Sequence, residues 1–289
     1  MCIRDRQGGV FRIPPPYLWT PLSPQRVKGC SPLTIPKKKS KRKKASRFAK
    51  RFFLVSPILN DTDGKVVISL MNYLLTLAYD GTNYCGFQVQ PNGRSVAAAF
   101  QDALEAVLGS RPDIKGCSRT DAGVHALGFR LNFHADTRVP AAKLPLALNQ
   151  HLPPDIRVLD AQPVPEDFHA RYAAHTKTYL YRIHNHPIDS PFDAAYYTRV
   201  PRHLDEARMQ AAAQQFVGRH DFLALCAAGS SAAAHGDTVR TITDCHVTRK
   251  GDEIDIEVTA DGYLYNMVRI LAGTLCEAGA GRLDPLHTK

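Results

Sequence analysis

The sequence predicts an α+β protein made of two similar half-domains facing each other across a cleft. Two observations carry this prediction. A helix–strand–helix–strand plan occurs twice, once after Met71 and again after about residue 203. The strands in both copies alternate apolar and polar residues with period two, while the helices place apolar residues three and four apart. The length of 289 residues accommodates one large or two moderate domains, and a hydrophobic content of 44% supplies a core.

The elements follow from local patterns. Tyr73 to Tyr79 is short, apolar and rich in β-favouring residues, so it reads as a strand closed by the turn Asp80-Gly81-Thr82-Asn83. Ser95 can cap a helix on which Val96, Phe100, Leu104, Val107 and Leu108 share a face, ending at Gly109. Pro112 to Cys117 is strand-like. Phe129, Leu131 and Phe133 alternate with Arg130, Asn132 and His134, the mark of a strand with one buried face. A short helix is expected over Pro140 to Leu148 and a strand over Arg157 to Leu159. Tyr179, Tyr181 and Ile183 share one face of a strand, and Thr178, Leu180 and Arg182 the other. In the second half a helix from Asp205 carries Leu204, Ala207, Ala211 and Phe216. Strands are expected over 238–249 and Glu253 to Thr259, and a strongly apolar helix from Asp261 through Arg269 to Gly279.

Charge divides the chain unevenly. The net charge of +10 would suggest a nucleic-acid partner. Residues 1–70, however, hold 16 Lys and Arg against 3 Asp and Glu, and the rest of the chain holds 21 against 24. The body is nearly neutral, so an RNA-binding surface there requires local clustering of cations. Residues 1–70 lack periodicity and contain the block Lys37-Lys38-Lys39-Ser40-Lys41-Arg42-Lys43-Lys44, so they are expected to form a disordered basic extension. Met1 to Arg6 resembles translated sequencing-adapter sequence, which would make that extension extraneous. The expected divisions are therefore 1–70, a half-domain over 71–186 and a second over 187–289. The seven cysteines include no C-x-x-C pair, and their scatter fits reduced thiols in a cytoplasmic protein. No apolar run reaches the roughly 20 residues of a membrane helix.

The stretch richest in chemistry is Gly116 to Ala126. Arg119, Asp121 and His125 lie within it, and Gly116 and Gly123 bracket them. A nearby guanidinium favours an ionised carboxylate, and such a carboxylate can act as base, nucleophile or metal ligand. Thr120-Asp121-Ala122-Gly123 is equally compatible with plain turn chemistry, in which the Asp side chain bonds backbone N–H groups. Spacing does not choose between these readings.

Arg119-Thr120-Asp121-Ala122-Gly123-Val124-His125 resembles, at all seven positions, the signature of the TruA family of tRNA pseudouridine synthases. Tyr79-Asp80-Gly81-Thr82, Gly86-Phe87-Gln88-x-Gln90, Phe168-His169-Ala170-Arg171, Lys177-x-Tyr179-x-Tyr181, Gly218-x-His220-Asp221-Phe222 and Met267-Val268-Arg269 extend the likeness over about residues 71–286. The resemblance implies a pseudouridine-synthase-like fold with a mixed, mainly antiparallel sheet and a central cleft. It assigns Asp121 as the catalytic nucleophile and Arg269 as its cationic neighbour. Tyr179 becomes the ring that stacks on the target base, with Arg119 and His125 also in the substrate site. It implies isomerisation of uridine at about positions 38–40 of the anticodon arm, in a nucleotide that leaves its stack. No metal or cofactor is expected. The expected partners are tRNA and a second copy of the chain, without a membrane. The family pattern continues beyond Gly281-Arg282, so a C-terminal truncation is also expected. Two other classes compete: a non-catalytic RNA-binding protein using the Lys-rich tail, and a hydrolase using Asp121 and His125. The second lacks a nucleophile elbow, P-loop or H-E-x-x-H motif.

One further expectation is electrostatic. A lone Arg on an apolar helix needs a carboxylate or water; because the resemblance sets Arg269 beside Asp121, the two are expected to pair across the two halves, the alternative being a charge at the helix edge that reaches solvent.

Overall fold

A computed structural model describes residues 2–4, 10–12 and 70–287, apart from 92, 192 and 193. The chain divides into two units, Met1–Val67 and Ile68–Lys289. In the first, strands β1 (Cys2–Arg4) and β2 (Val10–Arg12) pair antiparallel with Ile3 opposite Phe11, a local structure the sequence reading does not anticipate. The remainder of the expected basic extension, including the Lys-rich block, lies outside the described residues.

The second unit contains two sheets. The first has the order β4-β5-β3-β6, formed by Ile114–Gly116, Ala126–Ala135, Met71–Tyr79 and Ile156–Val164, all antiparallel. Helix α1 (Val96–Leu108) starts where the Ser95 side chain accepts from Ala98 N–H at 3.2 Å. It ends where the Gly109 N–H returns to Glu105. Its buried Val96, Phe100 and Leu104 join Leu75, Leu77, Leu131 and Phe133 in one core. The helix expected over 140–148 is a 3₁₀ turn at Ala141–Lys143 followed by α2 (Leu144–Asn149).

The second sheet has the order β8-β7-β11-β10-β9, formed by Thr198–Arg199, Lys177–His184, Glu253–Ala260, Val239–Lys250 and Gly218–Asp221. Among the described residues only the β7–β8 pairing is parallel, so the α+β architecture with mixed, mainly antiparallel sheets is as the sequence predicts. Ile254, Ile256 and Val258 are fully buried between the charged positions Glu253, Asp255 and Glu257. Helices α3 (Glu206–Phe216) and α5 (Met267–Gly279) pack on each other, α3 also on β10 and α5 on β7; a four-residue α4 (Ser231–Ala234) lies between β9 and β10 in sequence. Strand β7 precedes residue 186 yet hydrogen-bonds to β11, so the second sheet begins earlier in the chain than that expected division.

Helix α5 starts six residues later than its apolar pattern suggests. The Tyr263 hydroxyl donates to the carbonyls of Val258 at 2.7 Å and Lys177 at 2.9 Å, and Asn266 takes the left-handed conformation at φ 58°. These contacts hold 261–266 as a loop against the sheet before the helix begins. No helix of the described residues is long and apolar enough to cross a membrane.

Candidate active site

The loop carrying Asp121 joins the edge strand β4 to β5. The ladder runs one bond further, Cys117 N–H to the Arg130 carbonyl at 2.8 Å, and then the chain leaves the sheet. What holds it is the segment after β3. Phe87 N–H donates to the Thr120 carbonyl at 3.1 Å and Gly123 N–H to the Tyr84 carbonyl at 3.2 Å. The hydroxyls of Tyr79 and Thr120 are 2.9 Å apart. A Cβ on Gly81 would lie 2.1 Å from the Val124 carbonyl oxygen, and one on Gly86 would lie 2.5 Å from that of Thr120. Only glycine permits backbones to meet this closely. The Tyr79–Thr82 and Gly86–Gln88 motifs therefore form a cradle around the Asp121 loop. Their sequence reading as a hairpin turn with an aromatic anchor does not foresee that role.

Within this cradle the Asp121 side chain is exposed and has no hydrogen bond or ion pair among the described residues; its backbone carbonyl closes the turn by accepting from Val124 at 3.2 Å. Tyr179 reaches the loop from the other sheet. The Tyr179 hydroxyl lies 3.3 Å from Ser118 Oγ, and its ring meets Tyr263 edge-on at 4.7 Å. Burial raises the Tyr179 pKa, Ser118 partly offsets that rise, and the charge of Asp121 adds to it. The phenol thus stays neutral near pH 7, with the carboxylate close enough to influence it.

Arg119 and His125 diverge. Arg119 lines a cleft of about 410 Å³ with Phe87, Gln88, Ser118 and Arg171. His125 lines a different depression of about 330 Å³ with Tyr79, Asp80, Asp155 and Tyr196. His125 Nδ1 is 3.0 Å from Asp80 Oδ1 and 3.2 Å from Gly81 N–H, and the two contacts compete for one nitrogen. A proton on Nδ1 selects the first; the neutral tautomer without it selects the second. Asp80 is ionised in either case. Burial pushes its pKa up, but donors from the Thr82 hydroxyl and N–H and the Tyr196 hydroxyl, together with the charge of His125, outweigh burial and hold it at about 2. His125 is therefore tied to the turn that cradles the loop, whereas Arg119 faces the cleft.

The expected Arg269–Asp121 ion pair is absent: no contact within 4.0 Å joins them, and both side chains are exposed. The reason lies in the helix. Buried Met267, Ile270, Leu271, Thr274 and Leu275 face the core of α5, and Arg269 falls on its narrow solvated stripe in the first turn. A hydrated guanidinium needs no carboxylate, so the cost of an unpaired buried charge does not arise. Among the described residues, no three His, Cys, Asp or Glu are grouped so as to hold a metal ion.

The family described as tRNA pseudouridine synthase matches residues 76–173 and 212–289. The chain is 44% identical over 216 residues to tRNA pseudouridine synthase A of Caldicellulosiruptor saccharolyticus, covering 75% of this chain and 87% of that protein. It is 46% identical over 210 residues to tRNA pseudouridine synthase A of Ruminiclostridium cellulolyticum, covering 72% and 84%. With tRNA pseudouridine synthase A 2 of Clostridium perfringens the identity is 40% over 220 residues, covering 76% and 89%.

The chain belongs to the tRNA pseudouridine synthase family. Pseudouridine synthases are isomerases. Both matched segments carry candidate residues of this family member: the first contains Arg119, Asp121 and His125, and the second Arg269. Tyr179 lies between the two, on the strand that brings the second sheet to the Asp121 loop. Sequence reasoning missed Tyr263, which buttresses Tyr179, and Asp80, which braces His125. The only available signal for Tyr263 was an aromatic directly before an apolar helix.

Proposed function

We propose that this chain converts uridine to pseudouridine in the anticodon stem-loop of tRNA, at about positions 38–40, with Asp121 as the reacting carboxylate on a nucleotide drawn out of its stack. The observation that carries this reading is an unengaged Asp121 on a cradled loop whose Ser118 lies 3.3 Å from the hydroxyl of Tyr179 on the other sheet. The reaction breaks the N1–C1′ glycosidic bond, turns the uracil and joins C5 to C1′. N1 gains a proton and C5 loses one, so there is no net oxidation or reduction. An exposed carboxylate with no internal partner is free to attack or to stabilise the detached ring or sugar. The face of Tyr179 offers a stacking surface worth about 1–3 kcal/mol per base. Arg119 supplies positive charge at the adjoining cleft, and His125 acts through the loop it anchors. The exposed guanidinium of Arg269 is available to a phosphate of the bound tRNA.

The choice of the anticodon arm rests on the likeness of Arg119–His125 to the family signature. The same reading has the protein acting in the cytoplasm as a homodimer, which light scattering on the purified chain tests directly. The decisive assay is tritium release from tRNA labelled at uracil C5, followed by mapping of the modified positions. Release mapped to the anticodon arm is the expected result. Release elsewhere would overturn the site of action, and tRNA binding without release would favour a non-catalytic RNA-binding protein.

A further inference from the structure

The cleft next to Asp121 is built from two loops, and the second, which carries Phe168-His169-Ala170-Arg171, has no role assigned to it so far. Residues 165–172 follow β6 and are held from below by buried asparagines on two neighbouring strands. Asn72 on β3 and Asn132 on β5 are 2% and 1% exposed. Asn72 donates to the carbonyls of Pro165 and Phe168, both at 2.9 Å. Asn132 donates to Asn72 Oδ1 at 3.0 Å and to the Phe168 carbonyl at 3.1 Å, and accepts from Ala170 N–H at 2.8 Å. Each amide both donates and accepts, and these buried contacts tie the loop to the sheet.

Such a fixture presents side chains outward. Tyr172 is 79% exposed, yet its ring is set against His169 at 4.5 Å. Arg171 is exposed and, like Arg119, has no ion pair or hydrogen bond from its guanidinium among the described residues. Lys115 completes the cationic lining, paired only with Asp113 at the rim. In a body whose net charge is slightly negative, two free guanidinia, a lysine and an open aromatic pair on one cleft form a local exception. Their chemistry matches a single-stranded ribose-phosphate segment, with cations on phosphates and a π-face for an unstacked base.

We propose that this cleft binds the nucleotides flanking the target uridine, with Arg171 on a backbone phosphate and the Tyr172–His169 pair under a neighbouring base. The inference rests on the tRNA reading given above. It is tested by measuring tRNA affinity of the full chain by fluorescence anisotropy between 50 and 200 mM salt. The comparison variant is Lys250→Gln, which removes one charge at the far β10–β11 turn. Arg171→Gln should lower the slope of log affinity against log salt by about 0.7–0.9, the effect of one lost phosphate contact, and Arg171→Lys should restore it. Tyr172→Ala should weaken binding roughly tenfold with the slope unchanged. Both side chains are exposed, so melting temperatures should match the wild type. If both variants bind within about twofold of Lys250→Gln at the same slope, the proposal is wrong. Wild-type pseudouridine formation alongside that result overturns the cleft alone, whereas a wild-type chain that binds tRNA but forms no pseudouridine overturns the functional reading instead.

Discussion

Two aspartate turns lie against each other in this molecule, and they behave in opposite ways. In the turn after β3, Asp80 collects donors. Thr82 N–H and hydroxyl reach its Oδ1 at 2.9 and 2.6 Å, and Tyr196 reaches its Oδ2 at 2.8 Å. In the turn before β5, Asp121 collects none. By sequence the two are alike, each an Asp followed within two residues by Gly, and each compatible with a side chain that bonds its own turn. The difference teaches which carboxylate is structural and which is available. A carboxylate already saturated with hydrogen bonds is stabilised in its ground state and has little to offer a substrate. The loop around Asp121 is instead fixed by its neighbours' backbone, leaving the side chain free.

The sharpest way to break this contrast is Asp121→Asn. It should lower pseudouridine formation by roughly 10³-fold or more. The melting temperature should move by no more than about 2 °C, since an exposed side chain without partners contributes little to stability. Turnover that survives the substitution removes Asp121 from the reaction.

The cradle is tested next by Gly81→Ala. Its new Cβ, 2.1 Å from the Val124 carbonyl oxygen, must push the loop away. Denaturant titration should show a loss of about 1–3 kcal/mol, the usual cost of overpacking, together with reduced turnover. Unchanged stability and turnover would mean that the loop does not depend on that contact.

Tyr179 separates ring from hydroxyl. Tyr179→Ala should cost about 1–3 kcal/mol in binding of the reacting nucleotide, read as a rise in KM for tRNA. Tyr179→Phe, which loses only the 3.3 Å contact to Ser118, should stay near wild type. Equal losses in the two variants would shift the role from the ring face to the hydroxyl.

Asp80 gives the contrast a pH signature. Its folded pKa of about 2 lies below the ordinary aspartate value of 3.8. A depressed carboxylate stabilises the fold above its unfolded pKa, and that stability is lost as pH falls through the folded value. The wild type should therefore lose stability relative to Asp80→Asn between about pH 4 and pH 2. The side chain is 34% exposed, so solvent screening reduces the effect to on the order of 1 kcal/mol. Parallel pH profiles in thermal melts of the two proteins would show that Asp80 carries no such burden. The smallest change is expected for Arg269→Met, within about 0.5 kcal/mol by thermal melting, because the guanidinium is solvated. A loss of several kcal/mol would restore the buried ion pair that the structure lacks.

Arg269 also shows where reading the sequence ran out. Its apolar neighbours predict a paired, buried charge and a helix from residue 261. Periodicity reports which residues face a core, but a single polar position on a nearly apolar helix fits equally well a narrow exposed stripe. Where the helix begins was settled by Tyr263, whose hydroxyl reaches carbonyls on β11 and β7, and no local propensity encodes a contact to Lys177, 86 residues away.

By itself the sequence determined the period-two strands, the capped helix after Ser95, the α+β class and the heptapeptide that names Asp121, because these depend on nearest neighbours along the chain. Tertiary structure decided that Tyr179 meets the Asp121 loop, that His125 turns to Asp80 while Arg119 faces the cleft, and that one turn aspartate is saturated while the other stays free. Hydrogen-bond partners of a carboxylate come from whatever donors, backbone or side-chain, the fold brings within 3 Å or so. For Asp80 those partners lie as far away in sequence as Tyr196, and for Asp121 the cradle supplies backbone contacts to its loop and none to its side chain.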